Sequence, residues 1–179
     1  MIAEHSPQKV LHLFDTFSGL PKPSDLDSKK FRESDFNFKL EQVRKYLDGL
    51  HVVFHQGMFP AETVKEVENE RFSFVHLDVD LYESTLHSLA FFYPRLSPGA
   101  IIVSHDYVTA DGVNRAFEEF FPQQTRTRNR AHRISVLGGQ SRLNMEIKVP
   151  GVLVDAPSFS RCLREGGDNE VAPSLSRFL

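Results

Sequence analysis

Cysteine is almost missing from this chain: Cys162 is the single one among 179 residues. One thiol excludes an intramolecular disulfide framework and any zinc site built from several cysteines, and it points to a reducing compartment, with the cytoplasm as the expected location. Long apolar runs are missing too. No stretch approaches the roughly 18 apolar residues that a membrane span requires, and the opening MIAEHSPQKV lacks the basic and apolar regions of a secretory signal. A soluble chain with no membrane partner is expected. Internal repeats, low-complexity tracts and a phosphate-cradling glycine-rich loop are also absent.

What is present suffices for one real core. With 40% hydrophobic and 25% charged residues, the chain reads as a single domain rather than two large ones. The net charge of −3 hides an asymmetry: residues 1–121 carry 12 basic against 19 acidic side chains, and residues 122–179 carry 9 against 5. That split divides the chain into an α/β domain over 1–121 and a divergent C-terminal segment over 122–179.

Four apolar runs read as buried strands because they lack the polar alternation of a strand with one wet face. They are KVLHLFDTF (9–17), HVVFHQG (51–57), FSFVHLDVD (72–80) and AIIVSHDY (100–107). Helical patterning separates them. Phe36, Leu40, Val43 and Leu47 recur at spacings of three and four, and residues 61–69, 84–96 and 113–121 have similar character. Alternating strands and helices with short links predict a mostly parallel sheet covered on both faces. Further on, ISVLGG (134–139) and EIKVPGVLV (146–154) read as two more short strands.

In such sheets ligands sit outside the carboxyl ends of the strands. Those ends carry Asp15, then Asp78 with Asp80, then Asp106 beside His105. On an extended chain Asp78 and Asp80 would share one face about 7 Å apart, with Asp106 on an adjacent strand. Crowded carboxylates repel unless a cation or proton resolves the charge, and an oxygen-rich set of this kind suits Mg²⁺ or another divalent ion. Helix capping and turn formation are the plain alternatives for each aspartate taken singly. His12, His55 and His76 fall within strands and read as core or supporting residues. Arg126, Arg128, Arg130 and Arg133 form a basic run without interleaved aromatics, which reads as a solvated loop rather than a nucleic-acid groove.

The stretch FVHLDVDLYESTLHSLAFFYPRLSPGAIIVSHDY (74–107) closely resembles the signature block of the macrocin O-methyltransferase family, S-adenosylmethionine-dependent enzymes of class I, Rossmann-like fold. LFDTFSGLPKP (13–23) is similar to that family's second-strand motif, and QGMFPAETV (56–64) to its third-strand turn. The resemblance runs from about Val10 to Phe121. It implies methyl transfer from S-adenosylmethionine to a hydroxyl of a small molecule, a sugar or other natural product, with bound Mg²⁺ organising the acceptor.

Residue by residue, the resemblance implies that Asp15 holds the cofactor ribose and that Gly57, Met58 and Phe59 line the adenine side. Asp78 would sit beside the methionyl portion, and Asp80, His105 and Asp106 would be the metal ligands. His105 replaces an aspartate of the family pattern. Asp80 and His105 are the candidates for accepting the acceptor's proton. The family's first strand and glycine-rich turn would precede Val10, and the nine residues there carry neither, so a sheet incomplete at its first strand is expected. An unclosed edge favours self-association, which makes a homo-oligomer an expected partner state. Two other readings compete: a non-catalytic or truncated descendant without cofactor binding, and a metal-dependent hydrolase or phosphotransferase. The latter needs a phosphate-binding loop that the sequence lacks.

Overall fold

The computed structural model describes residues 8–124 and 133–136. The elements in order are β1 (Leu11–Asp15), α1 (Leu40–Tyr46), β2 (Val52–Gln56), β3 (Phe72–Leu77), α2 (Tyr82–Phe92), a 3₁₀ turn (Tyr93–Arg95), β4 (Leu96–Ser104), α3 (Asp111–Gln124) and β5 (Arg133–Val136). The strands fall into two sheets, β1-β2 and β3-β4-β5, and every pairing is parallel. The expected α/β architecture is therefore present, in two pieces. The 134–139 run supplies β5, whereas the 146–154 run lies outside the described residues.

Successive side chains on a strand point to opposite faces, and β1 uses both. Leu13 packs with Val43 of α1 and Leu47 just past its end, while Phe14 joins Phe59 and the Phe92 ring of α2. Helices thus cover both sides. The larger core joins Val75 and Leu77 of β3, Leu89 and Phe92 of α2, Ile102 of β4, and Val113 and Phe117 of α3. α3 continues past Phe121 through Pro122 to Gln124, and β5 adds to β4.

Three expectations fail locally, each for a visible reason. The helix expected from Phe36 begins at Leu40, because residues 34–36 are held in a loop with positive φ at Ser34 and Phe36. Backbone bonds from Leu20 N to the Asp35 carbonyl and from Ser34 N to the Leu20 carbonyl, both 2.9 Å, hold that loop. Residues 61–69 form isolated turns rather than a helix, with bonds such as Glu62 N to the Met58 carbonyl and Val67 N to the Val64 carbonyl. Most consequentially, the third strand ends at Leu77. Asp80 has φ +58 and the Leu81 amide bonds the Val79 carbonyl, so Asp78 and Asp80 do not share one face of an extended chain.

Candidate cofactor and metal site

A cavity of about 310 Å³ opens between β1 and β3 and reaches the carboxyl ends of both strands. Its rim holds Asp15, Gly57, Met58 and Phe59 on the β1-β2 side and Asp78 and Asp80 on the β3 side. These are the residues expected on the cofactor side, together with Asp80. His105 and Asp106 are not among the lining residues, so Asp78 is the link between the cavity and the cluster behind it.

Asp15 ends β1. Its Oδ1 accepts a 2.6 Å hydrogen bond from the Phe17 amide, which realises the turn role open to it. Burial raises its pKa, and that hydrogen bond pulls the other way. The turn that follows depends on Gly19: φ is +91 there, and an added Cβ would lie 2.5 Å from the Ser34 carbonyl oxygen. Opposite, the Gly57 amide donates to the Asp15 carbonyl at 3.0 Å, and the Met58 amide to Glu62 Oε2 at 2.7 Å. The Phe59 ring turns inward, stacking on Phe92 with centroids 5.0 Å apart.

Behind the rim, ligand atoms of Asp78, His105 and Asp106 lie within 4.8 Å of one another. The ladder explains why these three meet. β3 pairs with β4 up to Leu77 and Ser104, and the His105 amide extends it by bonding the Leu77 carbonyl at 3.0 Å. The next residues on each chain, Asp78 and the His105–Asp106 pair, are thereby set side by side. His105 Nδ1 is 3.0 Å from Asp106 Oδ2 and 3.3 Å from Asp78 Oδ1. Thr109 Oγ1 donates to Asp106 Oδ1 at 3.0 Å. The contact to Asp78 lacks hydrogen-bond alignment, so both Asp78 carboxylate oxygens are buried without a hydrogen-bond partner.

The charges follow the geometry. Hydrogen bonding to Asp106, then the adjacent Asp78 carboxylate, pushes the His105 imidazolium up to about 10 against the opposing effect of burial. Burial pushes Asp106 up, but hydrogen bonding from His105 leads a set of interactions that holds its carboxyl well below the usual carboxylate range. Asp80 is buried near this cluster in sequence, yet it is outside the ligand set. Among the described residues, the group expected as Asp80, His105 and Asp106 is built with Asp78 in the first place.

Residues that sequence reasoning missed hold the surroundings. Asp27, buried in the long β1–α1 loop, accepts from the Tyr82 amide at 2.6 Å and from the Ser24 amide and hydroxyl at 2.7 Å, tying that loop to the start of α2. The only sequence signal was a Ser-x-x-Asp spacing inside a loop. Lys30 Nζ adds a 2.9 Å bond to the Thr109 carbonyl. Two of the three strand histidines have the expected supporting contacts: buried His55 lies 2.9 Å from His12 and 3.0 Å from Glu66, whereas His76 is exposed and lines the cavity. None of the described helices is long and apolar enough to cross a membrane.

With this geometry in hand, the relatives are informative. The family model described as Macrocin-O-methyltransferase (TylF) matches residues 1–138, well past Phe121. A tetracenomycin relative, the 8-demethyl-8-(2,3-dimethoxy-alpha-L-rhamnosyl)-tetracenomycin-C 4'-O-methyltransferase of Streptomyces olivaceus, is 35% identical over 105 residues, covering 52% of this chain and 40% of that protein. The structure of the O-methyltransferase NovP superposes with a TM-score of 0.56 at 23% identity, over 67% of this chain and 54% of that one, which supports the fold. The chain thus spans about half or less of the length of these relatives. From the matched extent and the strand-end acids together, the chain belongs to the macrocin O-methyltransferase family.

Proposed function

We propose that this chain carries out S-adenosylmethionine-dependent, cation-assisted transfer of a methyl group to a hydroxyl of a small natural product. The observation that carries the reading is Asp78: a buried carboxylate with no hydrogen-bond partner, between the cavity and His105 and Asp106. The His105 imidazolium, 3.3 Å from Oδ1, offsets its charge in part, but neither oxygen accepts a hydrogen bond, so its burial remains costly. A divalent cation held by Asp78, His105 and Asp106 removes that cost, and two carboxylates with an imidazole fit Mg²⁺ or Mn²⁺.

When bound, the cation makes an acceptor hydroxyl more acidic and fixes its direction, while S-adenosylmethionine supplies the methyl group. The chain's own residues then do the holding. Asp15, with Oδ1 taken by Phe17, offers its other oxygen to a ribose hydroxyl. Gly57, Met58 and Phe59 wall the adenine side, and holding both reactants together lowers the barrier. With the cation in place His105 would give its ring lone pair to the ion, and so would not take the acceptor's proton. That leaves Asp80 as the base for the acceptor hydroxyl.

His105 also favours a second reading. Its imidazolium partly neutralises the two carboxylates in the place a cation would take, as a non-catalytic descendant could tolerate. Calorimetry with S-adenosylmethionine and with Mg²⁺ separates the two. Binding of both to the folded chain supports the enzyme; a folded chain that binds neither at millimolar concentration is the non-catalytic form.

A further inference from the structure

The three side chains that meet at the end of the β3-β4 ladder do not offer one kind of donor. Asp78 and Asp106 present carboxylate oxygens, and His105 presents an imidazole nitrogen. Nδ1 is the nitrogen turned toward both acids, 3.0 Å from Asp106 Oδ2 and 3.3 Å from Asp78 Oδ1. Neighbouring ligands on one six-coordinate ion with bonds of about 2.1 Å lie about 3 Å apart. The nitrogen therefore already stands at ligand separation from both oxygens, and no side chain has to swing to bring it onto an ion. Thr109 Oγ1 donates to Asp106 Oδ1 at 3.0 Å, which orients that carboxylate and leaves Oδ2 on the His105 side. Both Asp78 oxygens are buried without a hydrogen-bond partner, so the cluster has an unmet demand for positive charge.

We propose that this site selects a first-row transition ion of the Mn²⁺, Fe²⁺ and Co²⁺ class over Mg²⁺, with His105 Nδ1 as the selecting ligand. The inference rests on the cation reading above and adds which ions the site takes. Mg²⁺ gives up its water reluctantly and favours oxygen ligands, so a nitrogen among the three protein donors replaces a ligand it uses by one it binds poorly. Transition ions gain from the same nitrogen, and the gain rises from Mn²⁺ through Fe²⁺ to Co²⁺.

Charge acts in the same direction. A ligating imidazole is neutral, so the set brings two negative charges where three carboxylates would bring three, and the loss falls hardest on an ion held by charge alone. Asp80 does not restore the missing oxygen: it is buried two residues from Asp78 but outside the ligand set. His76, whose ring feels the charges of Asp78 and Asp106, is also outside the set and serves as the control for a nearby imidazole that does not ligate.

Mn²⁺ titration of the full 179-residue chain, read by electron paramagnetic resonance, gives the Mn²⁺ affinity, and displacement by Mg²⁺ and by Co²⁺ gives theirs. In the wild type Co²⁺ should bind at least about fiftyfold tighter than Mg²⁺, with Mn²⁺ between them. His105→Asp makes the set all oxygen and should cut that ratio at least about tenfold. A histidine that only supports the fold would weaken all three ions alike and leave the ratio unchanged. Electron spin-echo envelope modulation of bound Mn²⁺ is informative even if that variant fails to fold: a directly bound nitrogen is expected in the wild type and in His76→Gln. The proposal is overturned by a wild-type ratio below about fiftyfold, or by a folded His105→Asp that lowers it less than about tenfold. It is equally overturned by bound Mn²⁺ without nitrogen coupling, or by coupling that disappears in His76→Gln. In each of those cases an ion is still bound and the cation reading survives, whereas a folded wild type that binds none of the three ions overturns both.

Discussion

The two pieces of the sheet are built to different standards. The β1-α1-β2 piece rests on a small core of Leu13, Phe17, Val43 and Leu47, whereas the β3-to-α3 piece gathers Leu89, Ile102, Val113, Phe117 and many others. Yet the smaller piece carries Asp15 and the Gly57–Phe59 turn, the proposed cofactor wall, and the larger one carries the acidic cluster. On the proposed reading, cofactor binding falls to the piece with less apolar burial to hold it, and cation binding to the end of the β3-β4 ladder. Local opening follows burial, so the two functions should fail separately.

The largest effect should come from the larger core. Phe117→Ala, at a ring 1% exposed and packed edge-on to Tyr107, is expected to cost about 3–5 kcal/mol, read from urea unfolding. Leu47→Ala should cost less, about 2–3 kcal/mol, and should raise exchange in β1 and β2 while leaving β3 and β4 protected. If Leu47→Ala loosens both pieces equally, they are one cooperative unit and the comparison falls. Gly19→Ala, strained at φ +91 and blocked by the Ser34 carbonyl, is expected to cost about 1–3 kcal/mol, again with exchange rising mainly near Asp15.

Much of this division was legible in the sequence, and the exceptions have physical causes. Apolar runs located the first four strands because a strand covered on both faces has no polar alternation to obscure it. The period of Leu40, Val43 and Leu47 found α1, but not where it starts, since the pairing of Leu20 with residues 34–35 is a contact between distant positions. Asp15, Asp78, His105 and Asp106 were visible as strand-end residues. Which of Asp78 and Asp80 meets His105 was not, because it turns on the strand stopping at Leu77 and on the left-handed backbone at Asp80. Asp27 was invisible for a similar reason: its partner, the Tyr82 amide, is 55 residues away.

The smallest expected effect is in pH dependence, where the pieces share an acid limb, since desolvation lowers both His12 in β1 and His76 in β3, and differ on the alkaline side. Burial lowers the His12 pKa, so the unfolded chain binds more protons and β1-β2 should loosen as pH falls below about 6.5. His105 is raised, so its contribution is present below 6.5 and is lost as pH rises through about 10. Exchange should therefore quicken on the acid side at β1-β2 and around His76 alike, and on the alkaline side at residues 105–109. A His105→Gln variant should flatten the alkaline limb only.

The central claim is that Asp78, not Asp80, completes the cation set with His105 and Asp106. Mn²⁺ titration followed by electron paramagnetic resonance on the wild type, Asp78→Asn and Asp80→Asn tests it directly. One bound ion is expected in the wild type, with affinity retained in Asp80→Asn and weakened at least about tenfold in Asp78→Asn. Loss in Asp80→Asn with retention in Asp78→Asn, or no bound ion in the folded wild type, would contradict it.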